Sequence, residues 1–184
     1  MSNIVIDLLN KRIASRAIST EPLSNDTISE LIEAARLTPS CFNKQPWRFL
    51  FLVSEEALEK GRKALTGGNV VWATRAPLLI VGYSRYKDDC VLADGRYYNQ
   101  FDLGMSVMNI MLAATDKGLI ARPMAGFNPA LISELFALTS SEEPMIMIAV
   151  GKQSDDESHL SEKLRQIDTE PRSRLSAADI AKVI

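Results

Sequence analysis

The chain has 184 residues, of which 46% are hydrophobic and 24% are charged, and its formal net charge is −2. This length fits one domain that buries a core without crosslinks. The near-neutral charge disfavours nucleic acid as the main partner, and no apolar run approaches the roughly 18–20 residues that span a bilayer.

The rare side chains narrow the possible chemistry. Residues 1–7 have neither the basic region nor the cleavage site of a signal peptide. Cys41 and Cys90 lie far apart and match no metal or redox spacing, which makes a reducing cytoplasm the simplest location. The single histidine, His159, lies in a polar stretch and is interpreted as a solvated surface residue. Zinc sites and Ser-His-Asp triads are therefore disfavoured, and we expect no metal.

The first third of the chain reads as helix, helix and strand. Residues 8–14 predict a short helix. Apolar residues then recur at i, i+3, i+4 and i+7, which predicts an amphipathic helix with Ser24 or Asp26 as its N-cap and an end before Pro39. Residues 47–53 are rich in aromatic and branched side chains and predict a strand.

The middle of the chain contains the most apolar segments. Residues 55–65 predict an amphipathic helix closed by Gly67 and Gly68. Residues 77–83 form a nearly continuous apolar run with proline first, which is typical of a central strand. Residues 97–117 predict the longest helix, whose second half is apolar almost all round and therefore buried.

The last third ends in a polar segment. Residues 119–122 predict a short strand, and Asn128 with Pro129 opens a helix that runs to residue 138. Residues 145–150 predict another central strand, stopped by Gly151. The following residues have no hydrophobic face of their own and are either disordered or packed on something else. The order of elements indicates one α+β domain, and no G-x-G-x-x-G follows a strand, which disfavours a Rossmann site.

Four arginines near the two ends of the chain are candidate anion ligands. Arg12 and Arg16 share one face if they are helical, and Arg172 and Arg174 point to the same side if they are extended. Both pairs could converge on a phosphate dianion. The spacing alone favours the alternative, in which all four are solvated surface charges.

Two loops are candidate ligand-binding segments. Residues 38–47 contain two prolines and several short polar side chains, which make a stiff loop suited to binding, although turn chemistry explains most of it. Gly126 either lets a ligand approach the backbone closely or merely turns the chain before Asn128.

These segments, taken in order, resemble the nitroreductase family of FMN-dependent oxidoreductases. Residues 39–47 resemble its P-S-x-x-N-x-Q-P-W signature and residues 12–16 its R-x-S-x-[RK] cluster. Residues 123–127 resemble its P-x-x-G-F element and residues 171–174 its C-terminal basic pair. The resemblance runs from residue 7 to residue 175.

The resemblance implies an α+β fold with a central, mostly antiparallel sheet flanked by helices. It also implies a homodimer with domain-swapped arms, built from a single FMN-binding domain over residues 1–184. Residues 152–184 would be a C-terminal extension that packs on the partner subunit. Ser40, Cys41 and Asn43 would reach the flavin held mainly by the other subunit.

The resemblance also implies the roles of individual residues. Arg12, Arg172 and Arg174 would bind the FMN phosphate, and Arg16 would stabilise negative charge at the flavin N1–C2=O edge. Asn69 would hydrogen-bond the pyrimidine ring. The complete implied set of cofactor-binding residues is Arg12, Ile13, Ala14, Arg16, Pro39, Ser40, Cys41, Asn43, Asn69, Pro123, Met124, Ala125, Gly126, Arg172 and Arg174.

Gly126 would offer its N–H to flavin N5, with Pro123 and Met124 against one ring face. Three positions depart from the family pattern. Ala14 replaces a serine of the phosphate cluster, Trp72 stands where some members have lysine, and Ala125 stands where some have glutamate.

The implied activity is electron transfer from NADH or NADPH through FMN to a small electron-poor acceptor, by a ping-pong mechanism. Suitable acceptors are nitroaromatics, quinones, enones and activated aldehydes. No side chain is nominated as catalytic, because flavin N5 is the reactive atom. Four aromatic residues either line the open flavin face or, as general burial favours, pack in the core; they are Phe42, Tyr97, Tyr98 and Phe101. The alternatives are an FMN-binding sensor or storage module without turnover, and a flavin-free structural domain.

Overall fold

Helices and strands alternate irregularly along residues 3–184, the part of the chain that the computed structural model describes. In chain order the elements are α1 (Ile4–Lys11), α2 (Asn25–Arg36), β1 (Trp47–Leu52), α3 (Glu55–Ala64), α4 (Asn69–Trp72), β2 (Leu78–Arg85), α5 (Asn99–Asp116), β3 (Leu119–Met124), α6 (Pro129–Leu135), β4 (Glu142–Lys152), α7 (Glu162–Thr169) and α8 (Ala177–Ile180). Short 3-10 turns lie at Cys41–Asn43, Ala73–Arg75 and Tyr86–Asp88.

The four strands form one antiparallel sheet in the order β1-β2-β4-β3. β2 and β4 occupy the centre, where Val81 pairs with Met147. Every residue of β2 except Arg85 is buried, because both faces of the sheet are covered. The predicted α+β class with a central antiparallel sheet is therefore confirmed.

The sheet separates two hydrophobic cores, because successive strand residues point to opposite faces. Leu79 and Val81 face the first core, which also contains apolar residues of α3, α4 and α6. Leu78 and Ile80 face the second core, which α2 and α5 complete. The packing of α5 against the sheet on one side and α2 on the other confirms that its apolar second half is buried.

Side-chain caps begin several helices where the sequence predicts them. The Ser24 hydroxyl accepts the Thr27 N–H at 3.2 Å, which selects Ser24 rather than Asp26 as the N-cap of α2. The Asn128 side chain accepts the Leu131 N–H at 3.1 Å, and Pro129 occupies the first position of α6. Both caps satisfy N–H groups that have no partner within the helix.

The first helix begins and ends earlier than predicted. Asn3 accepts the Ile6 N–H at 3.4 Å and starts α1 four residues before the expected position. Arg12 is its C-cap with extended backbone angles (φ −61°, ψ 119°). Arg12 and Arg16 therefore do not share a helix face, and any common ligand must be reached from an extended segment.

The predicted stop at Gly151 is wrong, because β4 runs through this residue to Lys152. Gly151 pairs with Ile120 of β3. A Cβ at Gly151 would lie 2.6 Å from Cγ2 of Ile18. The glycine thus admits the segment around Ile18 against the sheet, where Ile18 forms a bridge to Gln153. Helix α6 also ends earlier than predicted, and Ala137 beyond it takes a positive φ of 52°.

Part of the polar C-terminal segment after Gly151 forms a helix and packs against its own chain, which its composition did not indicate. It contains α7, whose N-cap Ser161 accepts the Leu164 N–H. Leu160 is buried in the first core, and Leu164 packs against it. These contacts anchor residues 160–169 to their own chain, and packing of the extension on a partner stays a prediction.

Two further residue types differ from expectation. Cys41 and Cys90 form a disulfide with a Cα–Cα distance of 6.0 Å across a separation of 49 residues, so their spacing in sequence was a poor guide. His159 is half-buried, and neither ring nitrogen has a hydrogen-bond partner within the described residues. The interpretation of His159 as a solvated side chain was wrong.

None of the helices within residues 3–184 has the length and apolarity to cross a bilayer.

Candidate functional site

The two ends of the chain meet at a cavity of about 520 Å³. Residues 12–14 form one wall, and residues 167–174, which end α7 and follow it, form another. The complete lining is Arg12, Ile13, Ala14, Arg122, Ile167, Asp168, Glu170, Pro171, Arg172, Ser173 and Arg174. Five residues of the predicted site therefore come together in one chain: Arg12, Ile13, Ala14, Arg172 and Arg174.

Four arginines and two carboxylates, those of Asp168 and Glu170, line this cavity, which gives it a net positive charge. The pKa of Arg12 is lowered, first by burial and then by repulsion from Arg172 and Arg174. Among the described residues, the Arg174 guanidinium donates to the Ser173 carbonyl alone, at 2.6 Å. No salt bridge of Arg12 or Arg174 is found within residues 3–184. Guanidinium groups that repel one another across a cavity favour a bound anion, and arginine matches phosphate oxygens with paired hydrogen bonds.

Arg172 has a different role from the other two. Its guanidinium donates to the carbonyls of Leu9, Asn10 and Arg12 at 3.1, 2.8 and 2.9 Å. These carbonyls lie at the end of α1, where backbone acceptors lack helical partners and a cation is favourable. Arg172 therefore fastens the C-terminal segment to α1 and fixes the position of Arg12.

Arg16 lies behind the cavity wall and is paired with Asp168 of α7. The Asp168 carboxylate accepts the Arg16 backbone N–H at 2.6 Å and also contacts its guanidinium. Only 15% of the Arg16 side chain and 5% of the Asp168 side chain are exposed. The predicted flavin-edge cation is thus held in one orientation, and part of its charge is neutralised.

A second group of predicted residues assembles at the end of β3. The Asn69 amide donates to the Gly126 carbonyl at 3.0 Å, and the Thr66 N–H donates to the same oxygen at 3.1 Å. A Cβ at Gly126 would lie 2.6 Å from Nδ2 of Asn69. The absence of a side chain at Gly126 therefore lets the end of the Asn69 side chain take this position. Pro123 and Met124 belong to β3, and Ala125 is exposed.

The loop that contains Pro39, Ser40, Cys41 and Asn43 does not line the cavity of its own chain. Phe42, Asn43 and Gln45 take positive φ angles of 49°, 56° and 49°. The Gln45 N–H donates to the Ser40 hydroxyl at 2.8 Å, and the Cys41 N–H donates to the Asp102 carboxylate at 3.2 Å. Together with the disulfide, these bonds hold the loop in one shape.

The aromatic residues near this loop are largely exposed. Phe42 is 83% exposed, Tyr97 64% and Phe101 57%, so core packing was the wrong interpretation for these three. Tyr98 is half-buried and stacks at an angle on Phe101, with ring centroids 4.9 Å apart.

Arg122 and Asp168 line the cavity but were not among the predicted site residues. Arg122 lies on β3 between two residues of the first core, and an arginine on the inward face of a predicted strand was the available signal. Asp168 belongs to the unpredicted α7. The apolar residues Leu160, Leu164 and Ile167 have the i, i+4, i+7 spacing that could have predicted this helix.

Comparison with known proteins gives a consistent result. The model of the nitroreductase family matches residues 9–71 and 61–152. MhqN of Bacillus subtilis, a provisionally named NAD(P)H nitroreductase, is 24% identical over 178 residues, covering 79% of this chain and 86% of MhqN. Protein DrgA of Synechocystis is 30% identical over 155 residues, covering 69% of this chain and 73% of DrgA. A crystal structure described as an oxidoreductase containing FMN has a TM-score of 0.85 and 26% identity, covering 95% of this chain and 89% of that one.

Proposed function

The chain belongs to the nitroreductase family, and we propose on that basis that it is an FMN-dependent oxidoreductase that uses NADH or NADPH. The observation that carries the proposal is the net positive cavity in which Arg12 and Arg174 repel each other, with no ion-pair partner for either one within residues 3–184. A phosphate monoester carries the charge and oxygen geometry that such a pair binds. The similar structure that contains FMN supports this choice of ligand.

The described residues fit FMN at both of its ends. Arg12 and Arg174 would hold the phosphate. Arg172 fastens the C-terminal segment, which carries Arg174, to the end of α1 beside Arg12. Asn69 and Gly126 would face the polar edge of the flavin ring. A side chain at position 126 would push the Asn69 amide away from this position. When bound, FMN supplies the electron-carrying chemistry, and the chain supplies binding, orientation and charge.

The substrates would use one opening in turn, which is the basis for a ping-pong mechanism. A reduced nicotinamide and an electron-poor acceptor are both flat and conjugated, and both need to lie against the same flavin face. The acceptor would be a nitroaromatic, quinone, enone or activated aldehyde. Arg16 would stabilise the negative charge of the reduced state, although Asp168 tempers that effect.

A homodimer would complete the site. Exposed apolar side chains cluster at the two ends of the chain, where Ile4 is 79% exposed, Val5 62%, Leu175 73% and Ile180 72%. Apolar groups in such numbers favour a protein partner. A second copy would cover them and bring its own rigid 39–43 loop to this chain's flavin.

A cytoplasmic location goes with this proposal as a prediction. The disulfide between Cys41 and Cys90 bears on it, because stable disulfides are uncommon in reducing compartments. In the cytoplasm the pair would exist largely as two thiols, and the hydrogen bonds from Cys41 to Asp102 and from Gln45 to Ser40 would hold the loop.

The experiment that tests the function begins with the visible spectrum of the purified protein. Flavin absorption that bleaches anaerobically with NADH or NADPH, and returns on adding a quinone or nitroaromatic, is the expected result. A yellow protein whose flavin never bleaches would instead be the non-catalytic sensor or storage module. A colourless protein that takes up no added FMN would leave only a flavin-free domain and would refute the proposal.

A further inference from the structure

We infer that Arg122 is a further flavin-binding residue, that it contacts FMN beyond the phosphate, and that Asp168 positions it. The inference rests on the proposed function and deepens it. It concerns an arginine that no sequence motif nominated.

Arg122 lies on β3 between two apolar residues that point to the same face of the strand. Ile120 and Met124, two residues before and after it on β3, both belong to the first core together with Trp72. Side chains two apart in a strand share a face, so the Arg122 side chain points inward as well. Only 19% of that side chain is exposed. A charge at such a position is costly unless its surroundings or a ligand compensate for it.

Three contacts hold the guanidinium in place. Its Nη1 donates to the Ala14 carbonyl and lies 3.6 Å from Oδ1 of Asp168. Its Cζ lies 5.2 Å from the centroid of the Trp72 ring, a cation–π geometry. These contacts fix the plane of the guanidinium at the cavity wall.

The compensation by protein groups is incomplete. A guanidinium has five N–H donors, and within residues 3–184 no hydrogen bond is found for Nε or Nη2 of Arg122. Its pKa is lowered by burial and by repulsion from Arg16, against which the attraction of Asp168 acts. The single carboxylate of Asp168 is thus shared between two guanidinium groups, which leaves net positive charge for a ligand.

The position of Arg122 indicates which part of FMN it meets. It lines the same cavity as Arg12, Arg172 and Arg174, and it also stacks on Trp72, which ends α4. Asn69 begins the same short helix and contacts Gly126. Arg122 thus adjoins the phosphate cations on one side and, through Trp72, the helix that carries Asn69 on the other. A ligand that spans these two groups passes the free donors of Arg122.

Asp168 is the positioning residue in this arrangement. Its side chain is almost fully buried, contacts Arg16 and lies beside Arg122. Asp168 belongs to α7, and Leu160, just before this helix, is buried in the first core. Its removal would free two mutually repelling cations. We expect the Asp168→Asn variant to unfold at a lower temperature, because a buried ion pair is broken. In the folded variant the midpoint potential of the bound flavin should be higher, because one negative charge near the reduced cofactor is lost.

The test compares the binding of FMN with that of riboflavin, which lacks the phosphate, to flavin-depleted protein followed by fluorescence quenching. Arg122→Gln is expected to weaken both ligands by a similar factor, on the order of tenfold for one lost charged hydrogen bond. Arg174→Gln should weaken FMN alone. Arg85→Gln removes a similarly half-buried, ion-paired arginine that does not line the cavity, and it should change neither affinity.

Unchanged affinity of Arg122→Gln for both ligands would overturn the inference, and so would a loss confined to FMN, which would assign Arg122 to the phosphate. Arg122→Lys keeps the charge with fewer hydrogen-bond donors and replaces Arg122→Gln in the test if that variant does not fold. It should lose affinity for both ligands. Wild-type affinity for either ligand would overturn the inference. Failure of the unaltered protein to bind FMN would refute the proposed function itself, and the inference with it.

Discussion

At the scale of single residues, the site depends on which arginines keep free donors. Arg172 uses its guanidinium to close the end of α1, and Arg16 is paired with a buried carboxylate. Within residues 3–184, no partner is found for the Arg12 guanidinium, and that of Arg174 donates to the carbonyl of the adjacent residue, Ser173. The four arginines that the sequence singled out as one group therefore divide into two that fasten the chain and two that we propose bind an anion.

This division predicts different effects for Arg174→Ala and Arg172→Ala. Arg174→Ala should weaken FMN binding by about 1.5–3 kcal/mol, the range for a charged hydrogen bond, and leave the melting temperature nearly unchanged. Arg172→Ala should lower the melting temperature as well, because it exposes three backbone carbonyls of α1. Fluorescence titration and thermal unfolding of the flavin-depleted proteins measure both. Equal effects of the two substitutions on both quantities would contradict the division.

Gly126 is the second residue whose chemistry decides the site. In Gly126→Ala the new methyl would lie 2.6 Å from the Asn69 amide, so the Asn69 hydrogen bond must break or the turn must shift. We expect a loss of about 0.5–1.5 kcal/mol in stability, the range for one lost hydrogen bond, together with weaker FMN binding. Gly104→Ala is the matched control, because nothing lies within 4 Å of its added Cβ. A Gly126→Ala variant that binds and unfolds like wild type would show that the contact is not required.

At the scale of whole elements, the predictable parts were those with strong apolar periodicity. The runs that became β1, β2 and β4, and the spacing in α2 and α5, identified these elements because their side chains fill the two cores. The predicted bounds of α1 were wrong because this helix has no buried residue and its start is set by its N-cap, Asn3. Helix α7 was missed because polar side chains cover most of it. The extension of β4 beyond Gly151 depends on a tertiary neighbour, Ile18.

The same limit applies to the loop at residues 39–46, whose conformation depends on α5. Asp102 of this helix is fully buried and accepts the Cys41 N–H, and the disulfide ties Cys41 to the segment before α5. Neither contact follows from local sequence, because the partners lie 61 and 49 residues away. The motif could predict a stiff loop, and only the fold provides the groups that stiffen it.

The buried carboxyl of Asp102 predicts a pH dependence of stability. Burial raises its pKa, the Cys41 N–H opposes that rise, and nearby Asp89 adds to it. A carboxyl whose pKa is higher in the folded state favours folding less as it ionises, so its contribution declines as pH rises above about 4. Asp102→Asn removes this decline. Denaturant titrations at pH 4 and pH 7 should show the variant gaining stability relative to wild type at the higher pH, and parallel pH profiles would contradict the assignment.

At the scale of the whole molecule, the two ends of the chain have two roles. They meet within one chain at the cavity, and they also carry exposed apolar residues that a monomer leaves in water. In the C-terminal segment, Ile180 is 72% exposed, and the last two residues, Val183 and Ile184, are fully exposed. Arg174, which we propose binds the phosphate, is therefore followed directly by Leu175, an exposed apolar residue suited to a partner.

This adjacency makes the two roles separable by truncation after Arg174. Removing residues 175–184 deletes the apolar segment and keeps every arginine of the cavity. We expect sedimentation velocity to show a dimer for the full chain and a weaker dimer or a monomer for the truncated one. Ile180→Glu, which changes one exposed side chain and keeps the length, should shift the equilibrium in the same direction. FMN binding should weaken in step with dissociation, because the 39–43 loop would come from the other subunit. A full-length protein that is monomeric and still binds FMN would refute the shared site, and so would a truncated protein that remains fully dimeric.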